Sequence, residues 1–384
     1  MKILFVCQQY IHAVRWINQL KNSSHEIYVF DCLDNAIHPD LKWTQSYENW
    51  SKRKMSYIKG EERLSKKLPS VYEKVEGFLK VTASEKLEEI IQEINPDLVH
   101  SIEMQSETYP LIKVRDKLQF TWAYSSWGSD MYLYYNNKKH VKKIKNALDS
   151  INYLFSDNQR DVKLSKELGF KGHGNYIFPG GGGYDLTAIN GYMTPVKGRK
   201  LILIKGYHHW AGRALTVLKA IELVSEELLD FDIYVYSAHA IVVDKIKELN
   251  EKSDFTIEYS SRHDQITHDE LLTLFGKSLV AIGNSISDGI PNTLLESILL
   301  GAFPIQSNPG KVTEDYIQDG VNGLLISNPE DAIEVSELIM KAIKDNELIE
   351  RAFQKNQEIA KGLEYELIKD EVLKAYSEIE QSIK

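Results

Sequence analysis

The chain has 384 residues, enough for two or three domains, and its 43% hydrophobic and 26% charged residues are those of an ordinary globular protein with a sizeable core. A net charge of −9 argues against general nucleic-acid binding, which needs a positive face for phosphates. The charge is uneven: residues 1–190 hold 26 Lys and Arg against 23 Asp and Glu, and the remainder holds 20 against 32.

The first apolar run is 2-KILFVC-7, which Gln8, Gln9 and His12 break, so it reads as a strand rather than a signal peptide. No run approaches the ~18–20 residues of a membrane span, and a cytoplasmic protein is expected, with peripheral contact at the inner membrane face as an option. Cys7 and Cys32 lie in or after apolar runs and read as small buried hydrophobes. Further strand-like runs follow at 26–31, 97–102, 120–126 and 152–156, with helical patterns at 12–22, 84–95 and 138–150 between them. Pro96 ends the second of these helices. The basic excess gathers in 51-SKRKMSYIKGEERLSKK-67 and 138-KKHVKKIK-145. Such runs are solvated helix faces, or a contact for an anionic membrane or lipid acceptor.

The glycines of 178-FPGGGGYDL-186 punctuate the chain, and the pattern restarts after 195-PVKGRK-200. Strands are expected at 201–206, 231–237, 255–260, 279–285 and 303–307, and helices at 213–227, 268–278 and 292–301. Alternation of this kind predicts α/β architecture: two doubly wound Rossmann-like domains whose parallel sheets face each other across a cleft. The expected domains are 1–190, 191–362 and a C-terminal amphipathic helix at 363–384 that returns towards the first. Ligands would bind at the carboxyl ends of the strands.

The segment 284-NSISDGIPNTLLESILLGAFPIQSN-308 is the most informative. A strand delivers Asp288 and a Gly-Pro loop to the sheet edge, and a helix opening near Asn292 or Thr293 offers backbone N–H groups to an anion. Glu296, one turn inside, is suited to two adjacent hydroxyls. Phosphate-binding amides beside a diol-binding carboxylate fit a nucleotide.

These residues carry a family resemblance. The run 288-DGIPNTLLESILLGAFPI-305 with 314-EDYIQDGVNGLLI-326 resembles the retaining glycosyltransferases of family 4, within glycosyl transferases group 1, which have the two-domain GT-B fold. Residues 156–170 and 178–185 are similar to that family's end of the first domain and its crossing to the second. The resemblance implies a nucleotide-sugar donor, with uridine favoured, and a hydroxyl acceptor in surface polysaccharide or glycolipid assembly. Glu296 would bind the ribose; Asp288, one methylene shorter than the usual Glu, would stand beside the transferred sugar. The backbone of Gly289, Ile290, Pro291, Asn292, Thr293 and Leu294 would approach sugar and diphosphate. Lys205, before Gly206, and Arg213 match the family's basic pair at a spacing about two residues longer, and would stabilise the leaving diphosphate. No metal or cofactor is expected, since no Cys/His cluster or Asp-x-Asp has ligand spacing. The loops from Ser237 and from Ser260 would face the base. His208 and His209 read as loop residues flanking Trp210.

The acceptor is expected on the first domain, with His12, His100, Trp127, Gly128 and Asp130 as candidate contacts. Trp127 stands where many family members have a histidine, so no catalytic histidine carries over. Tyr124, Trp127, Tyr132, Tyr134 and Tyr135 form an aromatic cluster, suited to sugar or to core packing. The same fold also serves nucleotide-sugar 2-epimerases, sugar phosphorylases and idle glycan-binding subunits. Acceptor-dependent release of nucleoside diphosphate separates a transferase from the first two, and nucleotide binding by calorimetry argues against the third.

Overall fold

The first sheet contains β1 (Lys2–Val6), β2 (Glu26–Phe30), β3 (Gln45–Tyr47), β4 (Leu98–Ile102), β5 (Trp122–Ser126), β6 (Tyr153–Ser156) and β7 (Gly174–Ile177). The second contains β8 (Leu201–Lys205), β9 (Asp232–Ala238), β10 (Ile257–Ser261), β11 (Ser278–Gly283), β12 (Phe303–Ser307) and β13 (Leu324–Ile326). They come from a computed structural model that describes residues 1–264 and 266–384. Strand order is β3-β2-β1-β4-β5-β6-β7 in one and β10-β9-β8-β11-β12-β13 in the other, with parallel pairing. Both orders reverse once, at β1/β4 and at β8/β11, the switch points where open α/β sheets leave a crevice beyond the strand ends.

Parallel strands buried on both faces must be apolar without alternation. Ile3–Val6 and Ile202–Ile204 meet that demand and are fully buried. All ten strand-like runs read from the sequence form strands. β3 and β7 are largely polar and β13, though all apolar, is only three residues long, so none stands out in isolation.

Two compact units result. One comprises Met1–Asp157, Asp161–Gly182 and Asp370–Lys384; the other comprises Asn158–Arg160 and Gly183–Lys369. The chain thus divides inside the glycine run, at Gly182–Gly183, eight residues before the expected boundary at 190. Helix Tyr365–Ile383 starts in the second unit and ends in the first. In the first, the Tyr376 hydroxyl accepts from Trp16 Nε1 at 3.0 Å and bonds His100 Nδ1 at 2.8 Å.

In the second unit, helices Ala214–Leu223, Ala240–Lys252 and Ala332–Lys344 cover one face of the sheet, and His268–Lys277 and Asn292–Leu300 cover the other. Thr267 caps His268–Lys277 in a reciprocal box with Glu270. Gly301 ends Asn292–Leu300 at φ 73°. Cys7 and Cys32 are buried free thiols. Among the described residues no helix is long and apolar enough to cross a membrane.

Candidate active site

β8 ends at Lys205, and Gly206 follows where the chain is crowded. A Cβ on Gly206 would lie 2.6 Å from the Ala238 Cα, so only glycine fits without a backbone shift. Its N–H donates to the Tyr236 carbonyl and its own carbonyl accepts from the His239 N–H. This closure aims Lys205 at the loop after β11. There the Lys205 Nζ stands 4.0 Å from the Asp288 Oδ2, and the Gly289 N–H donates to Oδ1 at 3.0 Å. Burial holds the Asp288 carboxyl above its ordinary range; Lys205, the Gly289 N–H and Arg160, which belongs to this unit, pull it back. The side chain is still 32% exposed, so its charge is open to a ligand.

The helix expected near Asn292 or Thr293 begins at Asn292, with Pro291 as its cap. Gly289, Ile290, Pro291 and Leu294 are buried, and Asn292 and Thr293 half-buried. The Tyr236 hydroxyl bonds the Thr293 side chain, tying the helix start to β9. Glu296, only 3% exposed, has its Oε1 2.9 Å from the His268 Nε2. A buried carboxylate needs such a partner. His268 opens the helix after β10, and sequence reading gave it no role: nothing local marks a histidine whose partner lies on another helix.

Ser237 and Ser260 lie on the paired strands β9 and β10. The Ser237 N–H donates to the Ser260 Oγ at 3.3 Å, and Ser237 adopts φ 52°, left-handed for a residue with a side chain. Beside them the Tyr207 ring is shared by two cations: Lys205 Nζ lies 4.9 Å from its centroid and the Arg262 guanidinium carbon 4.8 Å. Arg262 lay within a loop flagged from sequence but was not itself singled out. His208, His209 and His239 are all held below the ordinary imidazole range, by burial first and then by the surrounding cations. Two act as neutral acceptors: His239 Nδ1 takes the His208 N–H, and His209 Nδ1 takes those of Ala211 and Gly212. His209 also stacks on Trp210 at 5.1 Å, so these histidines shape the loop before Arg213.

The Arg213 guanidinium donates to Glu330 Oε1 at 2.9 Å and to the carbonyls of His209, Ala211 and Gly212. The structure therefore pairs it with Glu330, and pairs Lys205 with Asp288. Glu330 is largely exposed, whereas the Arg213 side chain is mostly buried.

The first unit corrects two acceptor-side expectations. His100 is fully buried on β4, with Nδ1 bonded to Tyr376 and Nε2 to the Ser125 Oγ at 2.9 Å. Asp130 is buried too, accepting from the Met104 N–H at 3.0 Å and the Tyr124 hydroxyl at 2.6 Å. Neither side chain has a free face for an acceptor; strand-end polar residues here satisfy internal partners. Tyr124, Tyr132, Tyr134 and Tyr135 belong to the core or pack on it. His12 is exposed on helix Ile11–Asn18, and half-buried Trp127 meets Trp16 edge-on at 5.7 Å. Gly128 opens the following helix at φ 84°. Glu103, just beyond β4, stands out only in the structure. Its φ of 81° is strained for a non-glycine, and its carboxylate holds the N–H groups of Gln105 and Ser106.

His100 also makes stability depend on pH. Burial pushes its imidazole down to about 3 from 6.5. Between those values the unfolded chain binds a proton that the folded chain does not, so stability is full above 6.5 and falls as pH drops. By pH 4 the loss is expected to be on the order of a few kcal/mol. Thermal unfolding from pH 7 to pH 4 should show this acid limb, shallower in His100→Gln.

Comparison with known proteins agrees with this geometry. Residues 2–158 match the glycosyl transferase 4-like family model, and residues 217–359 match that of glycosyl transferases group 1. A search of curated protein sequences returned no match. The sucrose-phosphate synthase of Thermosynechococcus elongatus superposes with a TM-score of 0.72 at 13% identity, covering 100% of both chains. Anabaena HepE in complex with UDP gives 0.71 at 13% identity, over 98% of this chain and 100% of the other. The lipopolysaccharide outer core galactosyltransferase WaaB gives 0.69 at 15% identity, over 100% and 99%. At such identities the likeness is one of fold, and that fold is GT-B. With a glycosyl transferase 4-like model matching its first half, the glycosyl transferases group 1 model matching its second, and the GT-B fold throughout, the chain is a glycosyltransferase.

Proposed function

We propose that this glycosyltransferase moves a hexosyl group from a UDP-sugar to a hydroxyl acceptor with retention of anomeric configuration, as a family 4 enzyme, in surface polysaccharide or glycolipid assembly. The observation that carries the reading is the convergence of Lys205 and Asp288 beside a helix whose first turns hold the buried Glu296. UDP is chosen because the structurally similar Anabaena HepE was solved with it.

In this reading the bond between the anomeric carbon and the diphosphate oxygen breaks, and the acceptor oxygen bonds that carbon on the same face. The acceptor proton leaves with the diphosphate. Lys205 and Arg213 offset the charge that develops on the departing phosphate, without a metal ion. Asp288 accepts from a sugar hydroxyl, and the backbone of residues 289–294 lies against sugar and diphosphate. Gly206 leaves room for the phosphates, and Ser237 and Ser260 face the base. On the first unit, His12, Trp127 and Gly128 remain acceptor-side candidates and Glu103 joins them, its strain being a cost that binding sites commonly carry.

The test is acceptor-dependent UDP release across a panel of UDP-sugars, with the product anomer assigned by NMR. Release without acceptor would favour hydrolysis or epimerisation, and an inverted product would end the retaining assignment. His268 supplies a second check. His268→Ala frees the Glu296 carboxylate to rotate, and is expected to raise KM for the donor about 3- to 10-fold, the worth of one hydrogen bond, with little change in kcat. His268→Gln should recover much of it. A fall in kcat at unchanged KM would assign His268 elsewhere.

A further inference from the structure

We infer that helix Pro69–Leu79, with the chain leading to it, is a docking face for an anionic lipid bilayer. The inference stands on the first unit alone and is independent of the donor-site reading.

Exposed large apolar side chains gather here. Met55, Tyr57, Ile58, Leu68, Val71 and Phe78 all face solvent, Phe78 at 73% exposure. Leu68, Val71, Val75 and Phe78 recur at i, i+3, i+7 and i+10, which places them along one side of a helix. A surface helix ordinarily turns such a stripe to the core. In this one Leu79 is buried, while Leu68 is 53% and Val71 45% exposed. Approach of the two arms is fixed by backbone bonds from the Lys54 and Met55 N–H groups to the Leu79 carbonyl, which set Met55 close to Phe78.

Charge identifies the occupant. Residues 51–80 contain nine Lys and Arg against four Asp and Glu. Arg53, Lys54 and Lys66 are paired with Glu61, Glu85 and Glu62. Lys52, Lys59, Arg63 and Lys67 are exposed around the apolar stripe. The second basic run lies near the same helix. A cavity of about 290 Å³ is lined by Glu76 of this helix, Lys113, and Lys143 of helix Val141–Ser150. Lys138, Lys139, Lys142 and Lys145 of that run are exposed. Apolar side chains ringed by cations suit the boundary between acyl chains and anionic headgroups, where the first insert and the second stay in water. An acidic protein would satisfy the cations but leave the aliphatic stripe against a polar face.

The test is flotation of the full chain with vesicles of phosphatidylcholine, alone or mixed with phosphatidylglycerol. The chain should float with the anionic vesicles, less so as salt is raised, and stay behind with the neutral ones. Val71→Ser with Phe78→Ser should lower the partition about 10-fold or more, and Lys59→Glu with Arg63→Glu and Lys67→Glu comparably. Both variants should keep the wild-type Tm, since every changed side chain is exposed. The inference is overturned if the chain does not float with anionic vesicles or if neither variant weakens flotation. A concentration-dependent dimer abolished by Val71→Ser with Phe78→Ser would equally overturn it, assigning the face to a second copy.

Discussion

Glu296→Ala is expected to weaken UDP binding about a hundredfold. Hydrogen bonds to a charged group are worth about 1.5–3 kcal/mol each, and a vicinal ribose diol offers two. Two at the low end of that range come to about 3 kcal/mol, a factor of a little over a hundred in Kd. Glu296 is buried on a helix and one of its oxygens is held by His268, so the carboxylate is oriented before any ligand arrives. That preorganisation is why the loss should be large. The variant should still fold, because its orphaned partner His268 is partly exposed and water can satisfy it. Calorimetric titration with UDP checks the expectation. Glu296→Gln, which keeps the shape and loses the charge, should fall between the two, and an unaltered Kd in Glu296→Ala would remove the ribose from this position.

Lys205→Ala should act on turnover rather than on binding. A cation at the leaving phosphate matters most when the glycosidic bond is breaking, and removing one such stabilising group typically costs about 10²–10³ in kcat. Lys205 is also the largest charge favouring ionised Asp288, which burial opposes. Without it the Asp288 carboxyl moves up further. The sign follows: if ionised Asp288 is needed, the acid limb of the pH–rate profile should shift to higher pH in Lys205→Ala. Lys205→Arg keeps the charge and should restore the limb. Initial rates at saturating donor, taken across pH, separate the two effects. A profile that drops in height without moving would leave Lys205 a phosphate role and uncouple it from Asp288.

The two positions differ in how far they could be read from the chain. The strand before Asp288 and the helix that holds Glu296 are local, and local periodicity carried them; the pairing of the two acids came from the family resemblance. The ten strands were readable for the same reason: a parallel strand buried on both faces announces itself as an apolar run. Arg213 shows the limit. Its place in the basic pair is a matter of spacing, but its ion pair with Glu330 joins residues on separate elements. His268 with Glu296, and Arg262 over Tyr207, are likewise contacts between elements that no short window contains. His100 and Asp130 were offered to an acceptor because strand ends often carry function. Burial assigns them instead to Tyr376, Ser125, Met104 and Tyr124.

Apolar periodicity and turn chemistry therefore determined the architecture, since both act over a few residues and leave their mark in order along the chain, whereas the donor-side roles came from a family resemblance. Whether a polar side chain faces a ligand or a neighbour was decided only by packing. The energy of a buried polar atom depends on what lies within hydrogen-bond reach of it, and for Glu296, His100 and Arg213 that partner is supplied by another part of the chain.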